Sequence, residues 1–85
     1  MIAASDVEAA LRSKLQATDV EVIDISGGCG SSFEVYITSE AFNGKRPLQR
    51  HQLVNQSLSH LMSEIHALSI KRTKTPAEME ATATT

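Results

Sequence analysis

Eighty-five residues, 41% of them hydrophobic and 21% charged, with a net charge of −2, describe one small folded domain. A chain of this size buries only about 60% of its unfolded surface, so its core is thin and a deep substrate pocket is hard to carve. No apolar run approaches the roughly 20 residues that span a bilayer, and the start, Met1-Ile2-Ala3-Ala4-Ser5-Asp6, has neither the basic region and apolar stretch of a signal peptide nor the acid-poor character of a transit peptide. The default expectation is a cytoplasmic protein with no membrane contact and with nuclear access left open.

In chain order, Ser5-x-x-Glu8 reads as a capping box, and Val7, Ala10, Leu11 and Leu15 then recur at helical spacing, which predicts a helix over about 5–17. Val20-Glu21-Val22-Ile23-Asp24-Ile25 is short and β-branched and predicts a strand. Gly27-Gly28-Cys29-Gly30 breaks it. Phe33-Glu34-Val35-Tyr36-Ile37-Thr38 alternates, with Phe33, Val35 and Ile37 on one buried face of a second strand.

Asn43-Gly44 marks a turn, and Pro47 suits the first position of a helix expected to run to about Ile65, with Val54, Leu58, Leu61, Met62 and Ile65 as its apolar stripe. On this helix His51 is expected to face the core, whereas His60 and Leu53 fall on the exposed side. Ala67 to Arg72 reads as a third strand, with Leu68 and Ile70 inward. Thr75-Pro76-x-Glu78 can start one more helical turn. A domain over 1–76 with a flexible tail over 77–85 is the expected organisation.

The tight loop makes the first two strands antiparallel, and the helix between the second and third implies a crossover that sets those two parallel. The expectation is an α+β fold: a three-stranded mixed sheet in α-β-β-α-β order with the helices on one face.

That topology has a chemical consequence. The loop carrying Cys29 precedes the second strand, and His66 precedes the third. Parallel neighbours lie about 4.8 Å apart, so both residues fall at the same end of the sheet and could face one metal. A lone cysteine forms no internal disulfide, fits a reducing compartment, and cannot by itself hold a zinc or iron–sulfur site, although it can share one with a partner. Two readings of the residues stand side by side: an open metal site, or a glycine-softened hairpin with an incidental cysteine. Nucleophilic catalysis is disfavoured, because the Cys–His pair has no evident orienting carboxylate or oxyanion hole, and no phosphate-loop or His-Glu-x-x-His motif is present. Charge is also unevenly spread. Residues 43–74 hold Lys45, Arg46, Arg50, Lys71, Arg72 and Lys74 against Glu64 alone, either a solvated face or a basic patch for an acidic partner or nucleic acid.

The combination Gly28-Cys29-Gly30-Ser31-Ser32-Phe33, Phe42-Asn43-Gly44-Lys45, Arg50-His51-x-x-Val54-Asn55 and Glu64-Ile65-His66-Ala67-Leu68-Ser69-Ile70-Lys71 resembles the BolA family over about residues 5–76. The resemblance implies a class II KH-like fold, in agreement with the order above. It implies a non-enzymatic partner of monothiol glutaredoxins, forming a heterodimer that shares a bridging [2Fe–2S] cluster in iron–sulfur trafficking or iron sensing. In the branch with a cysteine in the hairpin loop, the implied ligands are Cys29 and His66, and the glutaredoxin cysteine and glutathione hold the other iron. Imidazole ligation to one iron raises the reduction potential of such clusters. The segment Thr75-Pro76-Ala77-Glu78-Met79 departs from the family in lacking an aromatic residue. Bacterial members of the family are described as transcriptional regulators, so the alternative reading is a nucleic-acid-binding regulator using residues 43–74, with weak binding expected from an acidic chain. A third is a plain interaction module.

Overall fold

The computed structural model describes residues 2–83. Helix α1 spans Ala4–Leu15, strand β1 Asp19–Asp24, β2 Ser32–Thr38, α2 Pro47–Ser57, β3 Ala67–Lys74 and α3 Pro76–Ala83, with a single 3₁₀ turn at Glu40–Phe42 before α2. The sheet has the order β1-β2-β3. β1 and β2 are antiparallel, with Val20 opposite Ile37 and Val22 opposite Val35. β2 and β3 are parallel, with Phe33 opposite Leu68 and Val35 opposite Ile70, and a register shift after Val35 that leaves Tyr36 opposite Arg72. The α+β architecture and both strand pairings are as expected.

Alternation in β2 puts Phe33, Val35 and Ile37 on the helix-covered face, where each is fully buried. Val7 and Leu11 of α1, Val54 and Leu58 from α2 and its cap, and Phe42 complete the closed centre of the core. The other sheet face is open and bears Ile23, Glu34, Tyr36 and Arg72, with the Arg72 guanidinium 5.8 Å from the centre of the Tyr36 ring. Among the described residues no helix is long and apolar enough to cross a membrane.

Several local expectations change. The start of α1 uses Asp6 rather than Ser5 and Glu8: the Ala3 N–H donates to the Asp6 carboxylate at 2.8 Å, and Glu8 pairs with Arg12 one turn on. Helix α1 ends at Leu15 because Gln16 enters the left-handed region, φ 49°. Helix α2 stops at Ser57, not near Ile65. The Ser57 hydroxyl donates back to the Leu53 carbonyl at 2.8 Å, and the chain continues in tight turns in which Leu61 N–H reaches the Leu58 carbonyl and Glu64 N–H the Leu61 carbonyl. Leu61, Met62 and Ile65 still pack on the core, but from turns, and they are half-buried, as is Ile70.

His51 is exposed, not a core residue. The inward face of α2 is centred on Arg50, Val54 and Ser57, and His51 falls to one side of it at 100° per residue. Leu53, on the other flank, is half-buried and packs on the core instead of standing exposed. At the C-terminus, α3 occupies most of the segment expected as a tail; residues 84 and 85 lie outside the described residues. Its start is a reciprocal capping box: the Thr75 N–H donates to Glu78 at 2.8 Å, and the Glu78 N–H donates to the Thr75 hydroxyl at 3.1 Å.

Candidate functional site

The β1–β2 loop is built around one carboxylate. Asp24, the last residue of β1, accepts hydrogen bonds from the Ser26 hydroxyl and from the Ser26 N–H at 2.8 Å, while its second oxygen accepts from the Gly30 N–H at 3.2 Å. The Ser26 oxygen in turn accepts from the Ser31 N–H at 3.2 Å. This clasp draws the loop closed from inside. The Ser26 hydroxyl, and then its amide, hold the Asp24 carboxyl below the ordinary carboxylate range, because each favours the ionised form.

The glycines let the loop take this path. Gly28 sits at φ 92° and Gly30 at φ 68°, in the region L side chains avoid, and a side chain at Gly28 would meet nothing within 4 Å, so its role there is conformational and not spatial. Cys29 lies between them, exposed and with a free thiol.

His66 is brought to the same place by the parallel pairing. Ser32 is opposite Ala67. One step earlier, the Ser31 carbonyl accepts from the His66 N–H at 2.6 Å and from the Ala67 N–H at 3.2 Å. The residue that ends the Cys29 loop thus anchors the backbone of His66. Both side chains are exposed at one end of the β2–β3 pair. His51 and His60, also exposed, lie on α2 and in the turn after it.

A thiolate and an imidazole are a soft and a borderline donor, suited to iron, zinc or copper. No group of three or more His, Cys, Asp or Glu able to hold a metal is found among the described residues. Two such donors are fewer than a metal centre needs, so a metal at this end of the sheet would require further ligands from outside the described residues. The Asp24–Ser26 clasp was not anticipated from the sequence, although Asp-x-Ser-Gly-Gly is a recognisable signal for a side chain turning back onto its own backbone.

The model of the family described as BolA-like protein matches residues 4–78. The chain belongs to the BolA-like family. It is 59% identical to Protein BOLA2 of Arabidopsis thaliana over 78 residues, 92% of this chain and 84% of that one. It is 51% identical to human BolA-like protein 3 over 55 residues, 65% of this chain but only 51% of the longer relative. Among solved structures, a bol-like protein from Babesia bovis superposes with a TM-score of 0.89 at 44% identity, covering 98% of this chain and 95% of that one. BolA1 from Arabidopsis thaliana superposes at 0.77 with 34% identity, covering 88% of this chain and 93% of its own. The matched span takes in every element that builds the Cys29–His66 end of the sheet.

Proposed function

We propose that this BolA-like chain is a non-enzymatic partner protein that binds a monothiol glutaredoxin and shares a bridging [2Fe–2S] cluster with it, Cys29 and His66 supplying this chain's half of the ligands. The observation that carries the reading is the backbone link from His66 to Ser31, which keeps an exposed imidazole beside the loop of an exposed thiol at the end of two parallel strands. The family shared with the relatives supports the same assignment.

The chemistry of the donor set fits a shared group. A [2Fe–2S] cluster takes four protein or small-thiol ligands, and this site offers two. The remaining two must come from outside, which glutaredoxin and glutathione would provide as thiolates. The bound cluster would supply one-electron redox chemistry and a transferable cargo. This chain's own residues hold the donors in place: the Asp24 clasp fixes the loop, the parallel register fixes His66, and the open outer side leaves room for the partner. A reducing compartment such as the cytosol suits a thiol that must stay free.

The test is reconstitution of the mixed complex with iron, sulfide and glutathione, followed by visible circular dichroism. Wild type is expected to give a cluster spectrum. His66→Ala is expected to change that spectrum and shorten the cluster lifetime, and Cys29→Ser to weaken it. Partner binding without the cluster is expected to survive both changes. Identical spectra and lifetimes in all three proteins would remove the pair as ligands and leave a plain interaction module.

A further inference from the structure

At the other end of β3 the chain forms a cleft of about 440 Å³, walled by Pro47 and Arg50 of α2, by Lys71 to Lys74 of β3, and by Glu78 and Ala81 of α3. It is remote from Cys29 and His66. At about 3.3 Å per strand residue, Lys71 and Lys74 stand roughly 15–25 Å along β3 from His66. Its lining carries Arg50, Lys71, Arg72 and Lys74 against one acid, Glu78, in a chain whose net charge is −2.

Arg50 serves as the fixed wall. Its Nη1 donates to the Thr73 carbonyl and to Glu78, both at 2.7 Å, Nη2 reaches Glu78 at 3.1 Å, and Nε donates to the Lys45 carbonyl at 2.9 Å. Arg72 is held far less completely. Its Nη2 meets the exposed Asp19 carboxylate only at 3.4 Å, and its Nε is buried with no hydrogen-bond partner. A guanidinium nitrogen in that position has lost water without gaining an acceptor, so an anion that draws the side chain into the cleft supplies the missing hydrogen bond in exchange for the long Asp19 contact and the packing on the Tyr36 ring.

We propose that this cleft is a binding site for a small soluble phosphate-bearing molecule, taken up by Lys71, Arg72 and Lys74 against the Arg50–Glu78 wall. Three features select that class. The cationic surplus is concentrated in a concave space, which favours a compact ligand of high charge density. Glu78 already presents a carboxylate to Arg50 from within the chain, so a carboxylate ligand would contend with an internal group of the same chemistry, whereas a phosphate brings more charge and three oxygens to the lysines and Arg72. Among the described residues no aromatic side chain lines the cleft to stack a base, and the acidic strand β1, with Asp19 and Glu21, lies across the same sheet and opposes an extended polyanion.

The test uses the full chain at physiological ionic strength, with inorganic pyrophosphate as the probe, by calorimetric titration and by amide shift mapping. Saturable binding at one site is expected, with shifts centred on residues 71–74 and 78. The double variant Lys71→Ala with Lys74→Ala should weaken it by roughly 10-fold or more, as expected for loss of charge-assisted contacts. A control pair outside the cleft, Lys45→Ala with Arg46→Ala, should leave it essentially unchanged, as should Cys29→Ser and His66→Ala, which separates this site from the cluster site. Absence of saturable binding, equal loss in the control pair, or citrate binding as tightly as pyrophosphate would each overturn the proposal. So would a single-stranded oligonucleotide binding more tightly than pyrophosphate, which would make the cleft a backbone contact for nucleic acid.

Discussion

Leu58→Ala probes the closure of the core most sharply. Leu58 is fully buried, and it caps α2 where the chain leaves the helix for the turns at 58–64. Its N–H is shared between the Val54 and Asn55 carbonyls at 3.2 Å, so the backbone there is already out of regular helix and alanine gains little from helix propensity. What remains is the transfer cost of the side chain and the void it leaves in the buried cluster to which Val54 and Phe33 also belong, about 2–5 kcal/mol for a buried leucine. A domain of this length has a total stability of about 4–13 kcal/mol. The variant should therefore lose a large share of it, and its melting temperature should fall by about 10–30 °C. Leu48→Ala is the matched control: Leu48 is 69% exposed, and its loss should change stability by less than about 0.5 kcal/mol. Urea unfolding followed by circular dichroism measures both. A cost below about 1 kcal/mol for Leu58→Ala, with an unchanged dependence on urea, would refute the placement of Leu58 inside a closed core.

Gly28→Ala should destabilise by about 1–2 kcal/mol although open space surrounds the added methyl, because φ 92° is the obstacle; an unchanged urea midpoint would contradict this. Asp24→Ala should speed hydrogen exchange at the Gly30 and Ser31 amides and leave the β2 core amides protected, and equal protection in loop and core would show that the clasp is not what holds the loop. Glu78 is held at about 2, below an ordinary 4.5, chiefly by its hydrogen bonds from Arg50 and then from the Thr75 N–H. A depressed carboxylate contributes stability that is fully present above the ordinary value and lost as pH falls through the folded one. Docking of α3 should thus weaken between about pH 4.5 and 2, seen as faster exchange of α3 amides, whereas Glu78→Gln should show the weaker docking already at neutral pH.

The strand pattern and the pairing of β2 with β3 were legible because the residues concerned express one period each: Phe33, Val35 and Ile37 alternate without interruption, and the long helix-bearing crossover between β2 and β3 leaves few ways to reach the sheet. The same topology sets the Cys29 loop and the backbone of His66 at one end of the sheet. The limits of α2 were not legible. Leu58, Leu61, Met62 and Ile65 fit a helical stripe, yet tight turns bury the same residues, and Ser57 bonding back to Leu53 decides between them. His51 was misplaced for a related reason: three residues before Val54 is near its face, but Arg50 takes the inward position to reach Thr73 and Glu78. That network links residues 28 apart in the chain and leaves no trace in local periodicity. The core role of Phe42 was missed similarly, since a single aromatic residue in a turn has no period to read.

The central claim is that the imidazole of His66 and the thiolate of Cys29 ligate iron from this chain. The most direct measurement is pulsed electron paramagnetic resonance of the reduced cluster in the complex with a monothiol glutaredoxin, prepared with nitrogen-15 histidine in this chain only. The account predicts a strong nitrogen-15 coupling in wild type and in His51→Ala and His60→Ala, and its loss in His66→Ala. A coupling that persists in His66→Ala, or that is absent in wild type, would contradict it.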